Sequence, residues 1–254
     1  MRKRDFLFSA SGRVGLFAFV FLLWVLPLGA TNPGDLFKSN SGRMYLAERI
    51  LGEGFFSTVW QVQDSQTGER FAAKFFVKAK LQLSVLNTYE HVHRWQVSGR
   101  LRSLLKVYSP ERFYSSDGEE HPIVRSELAV TNVERSEAEY FSLAGARSDE
   151  DLANRMNRAM ALLHRVIGGV REMKELALNH HDLNPRNLLW TEDSFKIGDL
   201  DSIQEHGVAP KSFAWELYSA PLEYGARGFN YSDDNLSDLH QFANTLYKFC
   251  LLYT

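Results

Sequence analysis

His180-His181-Asp182-Leu183-Asn184-Pro185-Arg186-Asn187, followed by Lys196-Ile197-Gly198-Asp199, is the stretch whose reading decides the fold. Two acids and an amide (Asp182, Asn187 and Asp199) are separated by Leu188-Leu189-Trp190 and the alternating Phe195-Lys196-Ile197, which read as a short β-hairpin. The hairpin brings the three polar groups close together. That grouping suits phosphoryl transfer from a nucleotide. One carboxylate orients the acceptor hydroxyl, while an amide oxygen and a second carboxylate hold Mg²⁺ on the phosphates.

Upstream, Leu46 to Leu51 leads into Gly52-Glu53-Gly54-Phe55-Phe56-Ser57, then Val59-Trp60-Gln61-Val62, a Gln66-Thr67-Gly68-Glu69 turn and Phe71-Ala72-Ala73-Lys74-Phe75-Phe76-Val77. This is a three-stranded antiparallel meander with a glycine-bearing first turn. Glycines at 52 and 54, with small Ser57, let backbone close over phosphates, although such a turn is often required only by positive φ angles. Residues 79–97 are compatible with a helix carrying Leu81, Val85, Tyr89 and Val92 at helical spacing. Within that helix Glu90 is the sole acid between Lys74 and Glu111, and so the candidate partner for Lys74. Residues 149–176 form a long helix, with Leu152, Met156, Met160, Leu163, Ile167 and Val170 as its expected core stripe. Residues 98–140 are the least legible part. Leu104 to Tyr108 and Ile123 to Val130 read as strands, and Ser115 to Gly118 as a turn.

The ordered set Gly52/Gly54, Lys74, Glu90, Asp182, Asn187, Asp199 and Ser219-Ala220-Pro221-Leu222-Glu223 resembles the eukaryotic protein kinases from about residue 45 onward. The resemblance implies an α+β, bilobal fold: a β-rich N-lobe with its hinge over 45–147 and a mainly helical C-lobe over 148–254. It also implies ATP and Mg²⁺ in the cleft and a protein substrate with a Ser or Thr acceptor. Gly52, Gly54, Ser57, Ala72 and Lys74 would then surround the nucleotide, with the adenine against backbone near Leu143. Glu90 would orient Lys74, Asp182 would act as base, and Asn187 and Asp199 would hold metal. The C-lobe is expected to be truncated after its central helix near Asp238, as in a fragment of a longer chain.

His181 replaces the usual Arg, Asn184 the usual Lys, and Asp201 the usual Gly of the metal motif. The Ala220-Pro221-Leu222-Glu223 motif carries an extra residue before its Glu. That last form, with the N-terminal segment, the His181-Asp182 loop and a poorly matched insertion before the hinge, resembles the secreted rhoptry kinases of apicomplexan parasites, a family that holds active kinases and pseudokinases. A pseudokinase serving as a nucleotide- or partner-binding module is therefore the alternative expectation.

Residues 1–30 combine basic Met1-Arg2-Lys3-Arg4 with the uncharged run Val14 to Ala30. They read as a secretory signal peptide cleaved after Ala30, or as a signal anchor. A membrane partner is expected only if 14–30 stay attached, and residues 31–44, polar and Gly/Ser-rich, read as a linker. The formal net charge of −2 gives no electrostatic case for nucleic acid. The single cysteine, Cys250, rules out an intrachain disulfide, and no His/Cys spacing resembles a zinc site. Sequons at Asn230 and Asn235 would be accessible to glycosylation in the secretory pathway.

Overall fold

Alternation of large apolar and polar residues from Phe37 to Phe76 produces a run of antiparallel strands whose inward faces are rich in aromatic side chains. The computed structural model describes residues 31–54, 57–76, 83–136, 141, 145–206 and 238–244. The described residues from Pro33 onward belong to one compact unit. Within this unit β1 (Leu36–Ser39), β2 (Met44–Glu53), β3 (Ser57–Asp64), β4 (Arg70–Phe76), β5 (Glu111–Tyr114) and β6 (Glu120–Ser126) close a barrel in the order β1-β2-β3-β4-β6-β5. Closure comes from β1, which pairs Lys38 with Tyr114 and Ser39 with Phe113. Residues 31–44 are therefore not a linker. Phe37 and Ser39 are buried, and two correctly spaced inward side chains outweigh the polar composition around them.

The barrel core is Phe37, Tyr45, Trp60, Val62, Phe71, Phe75, Phe113 and Ile123. Tyr45 stacks on Phe113 at 4.8 Å between centroids. Arg125 enters this core from β6 and pairs with Glu111 across the β5–β6 hairpin, its guanidinium lying 4.9–5.1 Å from the rings of Tyr45, Phe71 and Tyr108. The Ser115–Gly118 turn joins the two strands, with Gly118 at φ +84°.

Between β4 and β5 the chain forms α1 (Leu83–Val97), which buries Tyr89 and Val92. After β6 it passes through β7 (Thr131–Asn132) and the single-turn α2 (Val133–Ser136) to α3 (Asp149–Lys174). Ser148 caps α3 by accepting from the Asp151 N–H at 3.1 Å, and Asp149, Glu150 and Asp151 complement its N-terminal dipole. The buried face of α3 is Arg155, Leu162, Val166, Gly169, Val170 and Met173. The stripe expected from hydrophobicity is displaced around the helix: Met156, Met160 and Ile167 are 52%, 62% and 48% exposed.

A second core joins α1 and α3 to the hairpin of β9 (Leu188–Trp190) and β10 (Phe195–Ile197). α3 approaches β10 so closely that a Cβ on Gly169 would stand 2.5 Å from Ile197 Cδ1. Leu104 bridges to Ile197, and Glu172 on α3 accepts from the Ser103 N–H at 2.9 Å, fixing the segment after α1 to the same hairpin. β8 (Leu178–Asn179) pairs with β11 (Gln204–Glu205), and a 3₁₀ turn, Leu200–Ser202, lies just before β11. The result is a β-rich lobe beside a lobe whose longest described element is a helix. Among the described residues no helix is long and apolar enough to cross a membrane.

Candidate active site

The loop between β8 and β9 is shaped by the residues that carry its chemistry. His180 is fully buried and accepts from the Asp182 N–H through Nδ1 at 3.2 Å, leaving Nε2 to donate to the Gly198 carbonyl at 3.0 Å. Asp238 and Gln241, on the helical segment 238–244, hold the loop from below. The Asp238 carboxylate accepts from the N–H groups of His180 and His181 at 2.7 and 2.8 Å, and Gln241 Oε1 accepts from Leu183 N–H at 2.8 Å. Both braces are 0% exposed, so removing either would orphan buried donors. Asp238 and Gln241 are three residues apart, on one face of this helical segment, a spacing that is legible in the sequence although their role as braces is not.

The braced loop presents Asp182 between two amides. Asn184 Nδ2 donates to one carboxylate oxygen at 2.9 Å and Asn187 Nδ2 to the other at 2.8 Å. Burial pushes the Asp182 carboxyl above its ordinary value and nearby Asp199 adds to this, while His180 and the two amide bonds pull the other way. A carboxylate held in one rotamer with raised basicity suits accepting a proton from a hydroxyl. Asn184, which stands where the resemblance expects Lys, therefore contributes orientation of Asp182 instead of a charge.

Asn187 spends its NH₂ group on Asp182, so its amide oxygen has no partner among the described residues. Asp199 follows β10 in the left-handed region (φ 52°, ψ 64°), and its Oδ1 lies 2.6 Å from Lys74 Nζ. Burial works to raise the Asp199 pKa, but the Lys74 charge and hydrogen bond outweigh it and hold it below the usual carboxylate value. One amide oxygen and one ionised carboxylate are hard oxygen donors, the kind Mg²⁺ takes while keeping phosphate oxygens and water as its other ligands. The residues present fit that ion.

A cavity of about 460 Å³ opens above these groups. Gly52, Gly54, Ser57, Val59, Ala72, Lys74 and Val124 line it from the barrel, and Asn187, Leu189, Asp199 and Leu200 from the other lobe. Gly52 and Gly54 have φ outside the left-handed region, so conformation does not demand glycine there. A Cβ on Gly52 would meet nothing within 4 Å. Phe55, Phe56, Leu143 and the Ala220–Glu223 motif lie outside the described residues.

Among the described residues, the segment that edges the cavity is 126–132, and the expected adenine contact near Leu143 lies outside them. The segment is pinned by Glu127 N–H to the Lys106 carbonyl at 3.0 Å and Val130 N–H to the Trp190 carbonyl at 2.7 Å. One expectation is corrected, that of Glu90. It does not reach Lys74: Arg94 Nε donates to it at 3.1 Å and Ser109 Oγ at 2.5 Å. Lys74 instead lies 2.6 Å from Asp201 as well as from Asp199, and Tyr89 donates its hydroxyl to Asp201 at 2.5 Å. Burial lowers the Lys74 pKa, but Asp199, Tyr89 and Asp201 together carry it well above its ordinary value, so the ammonium is firmly charged. The Asp201 carboxyl is also raised above its ordinary value. Burial raises its carboxyl, and Lys74 only partly offsets this because Asp199 shares the same cation.

His181 lies at φ 65° with its ring buried and both ring nitrogens without partners among the described residues. Burial lowers its pKa, so the ring is neutral and cannot serve as the cation that an Arg would supply there.

No family model matches the chain. Among curated proteins it is 25% identical over 206 residues to CBL-interacting serine/threonine-protein kinase 20 of Arabidopsis thaliana, an alignment covering 74% of this chain and 41% of that protein. It is 24% identical over 240 residues to serine/threonine-protein kinase RAD53 of Saccharomyces cerevisiae, covering 87% and 26%. It is 28% identical over 193 residues to death-associated protein kinase dapk-1 of Caenorhabditis elegans, covering 74% and 13%. The chain thus spans less than half the length of each. Among solved structures, ROP2 from Toxoplasma gondii superposes with a TM-score of 0.61 at 12% identity, covering 86% of this chain and 68% of that one. ROP2 is described as a virulence factor with a protein-kinase fold and no enzymatic activity. The chain has the bilobal protein-kinase fold, and serine/threonine protein kinases are its relatives at low identity.

Proposed function

We propose that this chain is an ATP- and Mg²⁺-dependent protein kinase that transfers the γ-phosphate to Ser or Thr hydroxyls. One observation carries the reading. Asp182 is held by the amides of Asn184 and Asn187, and Asn187 and Asp199 line a cavity together with Gly52, Gly54 and Lys74. A loop with no chemical duty has no need to fix a buried carboxylate at both oxygens beside a second carboxylate. Bound Mg²⁺ would neutralise charge on the phosphates. Asp182 would accept the acceptor hydroxyl's proton, Lys74 would hold the α- and β-phosphates, and Asn187 and Asp199 would hold the metal.

A second reading, a nucleotide- or partner-binding pseudokinase, draws support from the inactive neighbour ROP2 and from the absence of a Glu90–Lys74 pair. Radiolabelled phosphate transfer to a generic basic protein separates the two, with Asp182→Asn as control. Label in wild type and its loss in the variant support the enzyme; equal incorporation defeats it. Magnesium-dependent stabilisation by ATP that disappears in Asp199→Ala, without transfer, supports the binding module.

The secretory reading of residues 1–30 and the rhoptry-like affiliation belong to the same proposal. N-terminal sequencing of protein expressed in a secretory host tests the first. A mature chain starting at Thr31 supports cleavage, and an intact Met1 defeats it.

A further inference from the structure

Among the described residues, Lys74 is approached by acids from one side alone. Asp199 and Asp201 both come from the segment after β10, and α1 contributes a tyrosine hydroxyl. Glu90 is one residue away from Tyr89 and faces elsewhere for a geometric reason. Successive residues on an α-helix point about 100° apart. Since α1 buries Tyr89 (3% exposed) and Val92 (0%), Glu90 is turned outward toward Arg94 and Ser109. A sideways swing of α1 would not bring it to Lys74. The helix would have to rotate about its own axis and strip Tyr89 and Val92 from the core.

The two acids at Lys74 differ in how completely they are engaged. Asp199 gives one oxygen to Lys74, and its side chain is 44% exposed at the cavity. Asp201 is less exposed, at 26%, and both its oxygens are taken, one by Lys74 and the other by Tyr89. A carboxylate facing the cavity with one oxygen to spare can transfer its attention to a cation. One bonded at both oxygens is suited to hold. We propose that Asp201 is the positioning residue that orients Lys74 toward the nucleotide phosphates, with Tyr89 fixing its rotamer, in place of an acid on α1. The proposal rests on the nucleotide-binding reading given above.

Two consequences follow. The turn Leu200–Ser202 carries the anchor of the lysine immediately beside the metal-holding acid, so both phosphate contacts are set by one short segment. The grip on nucleotide also becomes independent of an ion pair with α1, because α1 reaches the cluster only through a neutral hydroxyl.

Titration calorimetry of Mg²⁺–ADP into the full chain tests this with wild type, Asp201→Asn, Glu90→Gln, Tyr89→Phe and Lys74→Met. Asp201→Asn keeps the side-chain shape and is expected to weaken binding about tenfold or more, the effect of losing a charged hydrogen bond. Tyr89→Phe leaves the carboxylate in place and is expected to weaken binding a few-fold, while Glu90→Gln stays within about twofold of wild type. In transfer assays Asp201→Asn raises the KM for ATP and leaves the KM for the protein acceptor unchanged, a split that a general loss of folding would not give. Melting curves establish that each variant is folded, and Tyr89→Phe carries the test if Asp201→Asn is not.

Equal weakening by Glu90→Gln and Asp201→Asn overturns the assignment. So does wild-type affinity in Asp201→Asn when Lys74→Met has lost binding. A defect in Asp201→Asn that excess Mg²⁺ fully restores places Asp201 on the metal and also overturns it. Wild type that binds no Mg²⁺–ADP defeats the underlying nucleotide reading, and the assignment falls with it.

Discussion

Two buried ionic clusters, one inside the barrel and one at the cleft, show opposite uses of the same chemistry. In the barrel one cation meets one anion. Arg125 and Glu111 are 10% and 14% exposed, and three aromatic rings enclose the guanidinium. At the cleft one cation meets two anions, and the exposure rises from 15% at Lys74 to 26% at Asp201 and 44% at Asp199. The sealed pair is balanced in charge and has nothing to exchange. The open cluster carries surplus negative charge graded toward the cavity, which is the electrostatic condition for taking up a divalent cation. Burial and stoichiometry, more than the presence of an ion pair, separate a packing device from a working site.

The comparison can be broken from either end. The largest expected effect is at the loop between β8 and β9: on the proposed kinase function, Asp182→Asn should lower the rate of phosphate transfer by about 10²–10⁴-fold, the usual worth of a positioned base. In the barrel, Arg125→Met leaves Glu111 buried and unpaired and should cost about 3–5 kcal/mol in urea unfolding. Glu111 already has one oxygen without a partner among the described residues, so the double change Arg125→Met with Glu111→Leu should recover most of that loss. A double variant as unstable as the single one would show that the pair contributes net stability.

Next comes the contact that carries β10 and, through it, Asp199. Gly169→Ala forces a methyl group against Ile197 and should destabilise by about 1–3 kcal/mol, while also weakening Mg²⁺–nucleotide binding.

A smaller, pH-dependent effect is expected at His181. Its folded pKa lies below the ordinary 6.5, so below that pH the unfolded chain binds the extra proton and the folded chain does not. Stability is therefore expected to fall as pH drops below about 6.5 and to level off beneath the folded value. His181→Asn, which tolerates the left-handed backbone, should flatten melting temperature against pH over this range. The smallest change is Glu90→Gln, which loosens an outward pair and should move stability by about 1 kcal/mol or less.

Residues 180–199 were legible because their chemistry is local in sequence, and a hairpin is enough to bring Asp182, Asn187 and Asp199 together. Lys74 was legible for the same reason, as the strand position that follows a glycine turn. The partner of Lys74 was not. Spacing had already put Tyr89 on the apolar stripe with Val85 and Val92, which turns Glu90 aside. Being the sole acid in its segment does not bring Glu90 round the helix, and the acid that reaches Lys74, Asp201, lies far away in sequence.

The face of α3 failed for a different reason. Its buried side uses Arg155 and Gly169, which hydrophobicity does not count, so the more apolar stripe was taken for the inner one. β5 is only four residues long and follows Pro110, too short for alternation to register.

The barrel described above has a bearing on how this lobe can meet other molecules. Each of its six strands has a hydrogen-bonded neighbour on both sides, because β1 joins the two that would otherwise be terminal. β1 covers Met44–Leu46 of β2 and Phe113–Tyr114 of β5, so those stretches offer no unpaired backbone for an incoming peptide to extend, whereas β2 beyond Ala47 has only β3 as its strand partner among the described residues. A chain that loses Leu36–Ser39 would therefore lengthen the open edge of β2 and uncover that of β5, adhesive edges that this short segment keeps covered.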